Sequence, residues 1–417
     1  MNSFHVVGAG LAGLAAAVRL VRNGAKRVTL YEAGRQAGGR CRSFFDSVLN
    51  RTIDNGNHLM LSGNQAIASY LEEMDGDEFV ETAERARYQF ADVRTRESWS
   101  IELGEGAFPS WMLKRSWLPP GATVKDALNL ARGLAFKGDA TVRETFGACG
   151  HLYEKLVEPL ATAVLNTPPE SGAAKLLRAM FNKTILRGGR HCRAVLCPRG
   201  LGPSLVDPAL HWLRSNGASI RLNSRLAGID SSASSVSLLK FSSNPVKVSP
   251  RDVVVLAIPP SSCRDVLPDF REIDAFEAIV NVHFRLGATP SRLPLPRMLG
   301  LIGGVAQWVF ARRDILSVTV SAARSLVNES AADIAARTWA DVQAGLGVDR
   351  ELPRFRVIKE RRATISQTPA MEELRPRQET MFRNLILAGD WVQTGLPATI
   401  EGAVWSCQKA AQLAMRS

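Results

Sequence analysis

The first apolar run of the chain, residues 4–7, ends at a glycine and gives way to apolar residues at helical spacing as far as Val21. That pattern predicts a short strand feeding directly into a helix. Residues 27–31 predict a second strand. The periodicity then changes: residues 65–74, 124–137, 141–157 and 170–186 carry apolar side chains three and four apart, so 64–190 reads as largely helical. A further helix opens at Gly200 and Gly202 and stops at Asn216-Gly217. Strands follow at 219–222, 236–241 and 246–248, and the β-branched run 252–260 reads as a fully buried parallel strand. Residues 279–286, 299–310, 315–322 and 355–359 predict four more strands, with a helix at 330–344. The last apolar run, 384–391, ends in Gly389-Asp390 and leads to a helix from Thr399 to about residue 415.

The β/α character at both ends and the helical middle predict an α/β chain with a discontinuous nucleotide domain. Its three pieces are 1–63, 195–262 and 376–417; residues 64–194 and 263–375 form a second, substrate-binding domain of mixed sheet and helices. The turn after the first strand reads Gly8-x-Gly10-x-x-Gly13. Gly8 permits the tight turn, Gly10 lets the backbone approach a pyrophosphate, and Gly13 lets the helix lie close on the strand. Amides at that helix N-terminus favour negative charge. Glu32 ends the second strand nineteen residues after Gly13, where a carboxylate accepts hydrogen bonds from an adenosine ribose and repels a 2′-phosphate. Gly38-Gly39-Arg40 adds backbone able to lie against a flat ring and a guanidinium able to fork onto phosphate. At the other end, Gly389 allows close approach and Asp390 suits ribityl or pyrophosphate-side groups. The helix from Thr399 would aim its N-terminus at the same ligand, where its dipole favours negative charge.

Composition narrows the partners. The 417 residues suffice for two cores, and the net charge is +12, from 52 basic and 40 acidic residues. No nucleic-acid module accompanies that charge, and the cations are dispersed. An anionic membrane face suits it, as does an ordinary solvated basic surface. Residues 107–120, AFPSWMLKRSWLPP, mix Trp111, Trp117 and leucines with Lys114 and Arg115, which fits either an interfacial segment or packing within the helical part. Six scattered cysteines lack zinc spacing and read as reduced structural thiols. With no basic leader before residue 4 and no run of about 20 apolar residues, the expected location is cytoplasmic, peripheral to the inner membrane face at most.

Glu32-Ala33-x5-Gly39-Arg40 resembles the extended fingerprint of FAD enzymes of the amine oxidase and phytoene desaturase superfamily. Within it, the chain is most similar to the squalene-associated FAD-dependent desaturases. The residues carrying this are Asp54-Asn-Gly-Asn-His58, Glu158 through Leu165-Asn-Thr-Pro-Pro169, Gln307-Trp308-x-Phe310, Glu360-Arg-Arg-Ala-Thr364, and Leu387-Ala-Gly-Asp-Trp391 followed by Gly395 to Ala403. Asn57 stands where the family usually has Gln, Cys407 where a Gly is usual, and Lys26 is a one-residue insertion. The resemblance implies an amine-oxidase-like two-domain flavoprotein with a Rossmann-type FAD domain. It implies reductive removal of the hydroxyl of hydroxysqualene, a C30 isoprenoid alcohol, to give squalene for hopanoid synthesis.

The implied FAD contacts are Gly8, Gly10, Ala12, Gly13, Leu14, Glu32, Ala33, Gly39, Arg40, Asn57, His58, Leu226, Gly389, Asp390, Pro397, Ala398, Thr399 and Ile400. Such chemistry needs an acid near the hydroxyl, for which His58 stands first and Glu401 second; the plainer reading of His58 is a ring hydrogen-bonded for structure or simply touching the flavin. Trp308 and Phe310 line the lipid pocket or belong to the core. No second dinucleotide motif is present, so the electron donor lies outside what the motifs identify. An oxidative desaturase or amine oxidase is the rival reading, and a non-enzymatic prenyl-lipid carrier a more distant one.

Overall fold

The computed structural model describes residues 2–106, 118–232, 234–267, 270–271, 273–287 and 297–416. The tryptophan-rich segment around Trp111 and Trp117 lies outside them. Among the described residues, five parallel strands form one sheet in the order Ser219–Arg221, Val28–Tyr31, Phe4–Val7, Val253–Leu256, Leu385–Leu387. Strands from the two chain ends and the middle thus share one sheet. Side chains alternate across it, as the period of two requires. Val6, Leu30, Val253 and Val255 face helices Leu11–Arg22, Asp207–Ser215 and Ile400–Arg416. Val7, Tyr31, Val254 and Leu256 face a three-stranded meander and helix Pro260–Val266.

A second sheet of seven strands runs Arg354–Ile365, Phe276–Arg285, Ile315–Val320, Trp308–Arg312, Met298–Ile302, Ala86–Asp92, Ser98–Leu103. It is antiparallel except where Met298–Ile302 pairs with Ala86–Asp92. Val280, Val282 and Phe284 pack with Trp339 of helix Ala331–Leu346. The next residues along the same strand, Asn281 and His283, alternate to the opposite face. A helical lobe built on Leu130, Phe146, Tyr153 and Leu177 encloses Trp308 and Phe90 from this second sheet.

The structure corrects three readings of the pattern. Residues 81–103, placed in a helical stretch, contain strands Glu81–Thr82, Ala86–Asp92 and Ser98–Leu103. Their alternation is short and interrupted by charges, and pairing with a strand more than 200 residues later stabilises them. The single strand read over 299–310 is a hairpin turned at Gly303-Gly304, with the Asp341 carboxylate accepting from Val305 and Ala306 amides. The meander begins with a strand, Leu226–Ser232, that carries too few apolar residues to stand out. No described helix is long and apolar enough to cross a membrane.

His283 is fully buried, with Nδ1 2.7 Å from the Ser317 hydroxyl on the neighbouring strand. Burial, more than any neighbouring charge, lowers its pKa to about 4. The folded state resists protonating it, so this contribution is complete above the ordinary value near 6.5 and is lost as pH falls toward about 4. Denaturant titrations at pH 7 and pH 4.5 should show a loss to which His283 contributes at most about 3 kcal/mol. His283→Gln should lose less than the parent over the same interval.

Candidate functional site

At the carboxyl ends of the parallel strands, where open α/β sheets bind ligands, lies a cavity of about 480 Å³. Helix Leu11–Arg22 starts at its wall with Gly10 as N-cap and no side chain capping it. Its first-turn amides lack intrahelical partners and are left for a ligand. A Cβ built on Gly10 would meet nothing within 4 Å, so this position opens onto free space. A Cβ on Gly13 would lie 1.8 Å from the Gly8 carbonyl oxygen, which is the close helix–strand contact the motif demands. The second glycine pair docks on the first: the Gly38 amide donates to Ala9 O at 2.7 Å, and Gly10 and Gly38 form a parallel bridge.

Glu32 is pre-set at the cavity edge. Its carboxylate accepts from the Ala9 and Gly34 amides, both at 2.8 Å, which leaves further lone pairs for a ribose. Opposite, Arg40 makes two 2.7 Å bonds to the Asp390 carboxylate. The guanidinium fork expected for phosphate is therefore occupied by a carboxylate, and Asp390 in turn is only 5% exposed. Arg375, itself buried, shapes the loop after it by donating to the carbonyls of Asp390, Val392 and Leu396. The narrow Leu165–Pro169 motif acts at the same place from another direction. Thr167 Oγ1 accepts from the Gln367 amide, Gln367 Nε2 reaches the Leu165 carbonyl, and Gln367 Oε1 accepts from the Ala398 amide at 2.7 Å. That chain of bonds fixes the entry to helix Ile400–Arg416.

Of the residues singled out from the sequence, Gly8, Gly10, Ala12, Glu32, Ala33, Gly39, Arg40, Asn57, His58, Leu226, Gly389, Asp390, Ala398, Thr399 and Ile400 line this cavity. Gly13, Leu14 and Pro397 do not: Leu14 is wholly within the core, and Pro397 lies under the close approach of Gly402. Glu401 is the substantive correction. Its carboxylate accepts from the Ala66 and Ile67 amides at 3.1 Å, capping helix Gln65–Glu73, with Lys183 3.8 Å away. Burial pushes this carboxyl above its ordinary value, opposed by those two amides and by Lys183. Helix register turns it away from the cavity, so it cannot serve as an acid there.

His58 stands between this cavity and a second one of about 530 Å³. Burial first, then the nearby Arg40, lowers its pKa to about 4, so the ring is neutral at pH 7. Asn57 beside it donates to Thr319 Oγ1 at 3.1 Å, and Thr319 donates to Asn281 Oδ1 at 2.8 Å. The second sheet thereby contributes Asn281, Glu360 and Arg362 to the lining. Asn281 was missed, although a polar residue alternating with valines in an apolar strand could have marked it; nothing local marked Glu360 beyond its motif. Trp308 is core, whereas Phe310 lines the second cavity. That cavity is lined by Leu196, Leu201 and Phe310 together with charged side chains, among which Arg312 pairs with Asp54 and Arg297 with Glu81.

A family model described as flavin containing amine oxidoreductase matches residues 11–415, and the chain belongs to that family. It is an oxidoreductase whose cofactor is FAD. Among its relatives is the hydroxysqualene dehydroxylase of Sinorhizobium fredii, 41% identical over 414 residues, spanning 99% of this chain and 98% of that one. The hydroxysqualene dehydroxylase of Rhodopseudomonas palustris is 40% identical over 415 residues, with 99% and 98% covered. A solved putative protoporphyrinogen oxidase from Exiguobacterium sp. 255-15 shares the fold with a TM-score of 0.72 at 18% identity, over 100% of this chain and 99% of its own.

The residues present fit the cofactor: an uncapped helix N-terminus, an open glycine cradle and a pre-oriented ribose carboxylate meet in one cavity. Gly10→Val sets its Cβ in that cradle clear of protein atoms, so the variant should melt like the parent stripped of flavin and purify without flavin absorbance. Glu401→Ala should instead retain the flavin and its turnover while losing about 1 kcal/mol of stability in denaturant titrations.

Proposed function

We propose that the chain catalyses FAD-dependent reductive dehydroxylation of hydroxysqualene to squalene, supplying triterpenoid synthesis of the hopanoid type. The observation that carries this is identity of 37–41% with three hydroxysqualene dehydroxylases over essentially the whole of each chain. The glycine cradle and helix N-terminus at Gly10 would hold the pyrophosphate, Glu32 the ribose, and backbone near Leu226 the adenine; Arg225 has its own amide and carbonyl tied to Ser242. Thr399 and Ile400 at the C-terminal helix would stand at the ring end.

In the overall change the carbinol C–O bond breaks, a proton joins the departing oxygen as water, and a C–H bond forms. Bound and reduced, FAD supplies the hydride and its two electrons. The protein's share is to place the hydroxyl, keep water away and deliver the proton. His58 is the group we assign to the hydroxyl. Its neutral ring donates an N–H hydrogen bond at pH 7 and carries a transferable charge only as pH falls toward about 4. Arg40, held on Asp390, keeps positive charge nearby and so opposes protonation of His58. Glu360, 3.3 Å from the Asn55 amide nitrogen, lines the same cavity and would help order its polar wall. Electrons would come from a donor outside the chain, and the lipid-soluble substrate from an anionic membrane face.

Hydroxysqualene incubated without oxygen with chemically reduced protein should yield squalene. Failure to consume it, or formation of a more unsaturated product by the oxidised protein, would replace this reading with a desaturase. His58→Gln should lower turnover by about 100-fold with the flavin still bound. The parent rate should rise as pH is lowered from 8, and the variant should lack that limb; near-parental turnover would remove His58 from the reaction.

A further inference from the structure

The helical lobe carries a surface that the cavity chemistry does not use. Helix Val124–Ala135 is closed at its start by a reciprocal cap between Thr123 and Asp126, and it buries Asp126, Leu130 and Gly133. Its other face is apolar too. Val124 is 67% exposed, Leu128 56%, and Phe136 at the end of the helix 47%. With the exposed Ala131 and Ala135, these residues form a stripe at four- and three-residue spacing.

Lys125, Arg132 and Lys137 are exposed beside the stripe. The acid within the helix, Asp126, is buried in the cap, and Asp139 just beyond pairs with Lys175 at 3.3 Å. A water-facing helix carries charged side chains on its outer face. An outer face of bare apolar residues edged by cations is the pattern of a helix lying among anionic headgroups. Among the described residues, the remaining large exposed apolar side chains, Phe45, Val48, Leu352, Met381 and Met415, lie at four separate places. This helix is where they concentrate.

We infer that the outer face of helix Val124–Ala135 docks on an anionic lipid surface, its apolar stripe entering the headgroup boundary and its lysines and arginine meeting lipid phosphates. In purpose this rests on the proposed lipid substrate, because a C30 alcohol resides in the acyl region. The lobe beneath the helix is the one whose core includes Trp308 and reaches Phe310 at the second cavity. A docked helix therefore sets that lobe against the membrane.

Purified holoenzyme, without substrate, is floated with vesicles of phosphatidylglycerol and phosphatidylcholine or of phosphatidylcholine alone. It should rise with the anionic vesicles and be released by about 0.5 M salt. Val124→Glu with Leu128→Glu should weaken that partition about tenfold or more, with flavin absorbance and melting temperature unchanged. Lys125→Ala with Arg132→Ala should weaken it about tenfold on anionic vesicles alone. Absence of flotation, or flotation indifferent to both double variants, overturns the docking face. So does light scattering in which the glutamate variants split a dimer while lipid binding persists. Turnover of hydroxysqualene in detergent reads the reaction separately: protein that floats but is inactive there overturns the reaction alone, and protein that is active but does not float overturns the docking face alone.

Discussion

Arg40 and Asp390 are 350 residues apart in sequence and meet through two 2.7 Å hydrogen bonds. Asp390 is almost fully buried while the Arg40 side chain is 46% exposed, so the guanidinium supplies a buried carboxylate with its counter-charge from the open side. The pair ties the second glycine motif, from the N-terminal third, to the loop leading into the last helix. It also links the segment after strand Val28–Tyr31 to the one after the edge strand Leu385–Leu387. The parallel strands and the packing of helix Leu11–Arg22 on helix Ile400–Arg416 bring Gly10 and Thr399 to one space, and the pair closes its wall.

Around that pair, buried polar groups are spent on backbone geometry as much as on ligands. Arg375 holds three carbonyls of the loop after Asp390, and Gln367 joins the Leu165–Pro169 turn to the Ala398 amide. These bonds leave the helix entry only a narrow range of positions. The same economy explains Glu401, whose carboxylate sits beside two amides at the start of helix Gln65–Glu73 and stabilises that helix instead of meeting substrate. A carboxylate next to a nucleotide motif reads as chemistry in one dimension and proves to be a cap in three.

Charge placement in the site follows from burial and neighbours together. His58 is the histidine at the junction of the two cavities, and the cation that lies near it is the one Asp390 holds in place. Burial first, and then the nearby guanidinium, keeps the ring neutral at pH 7. In the second cavity the arginines are offset by Asp54, Glu78 and Glu81, while exposed apolar side chains gather on the outer face of the helical lobe.

The glycine turn, the strand before it, the helix after it and the Glu32 spacing were legible because each depends on contacts within a few residues. The hairpin at Gly303-Gly304 and the strands within 81–103 were not, since their pairing comes from segments remote in sequence and their own alternation is weak. By itself the sequence determined the element types at both ends, the dinucleotide cradle and the family resemblance. Only the tertiary structure decided that Asn281 and Glu360 reach the cavity, that Arg40 grips Asp390, and that Glu401 faces Ala66. The reason is geometric: local residues settle whether a segment is helix or strand, whereas the direction in which each side chain points is settled by what the segment packs against.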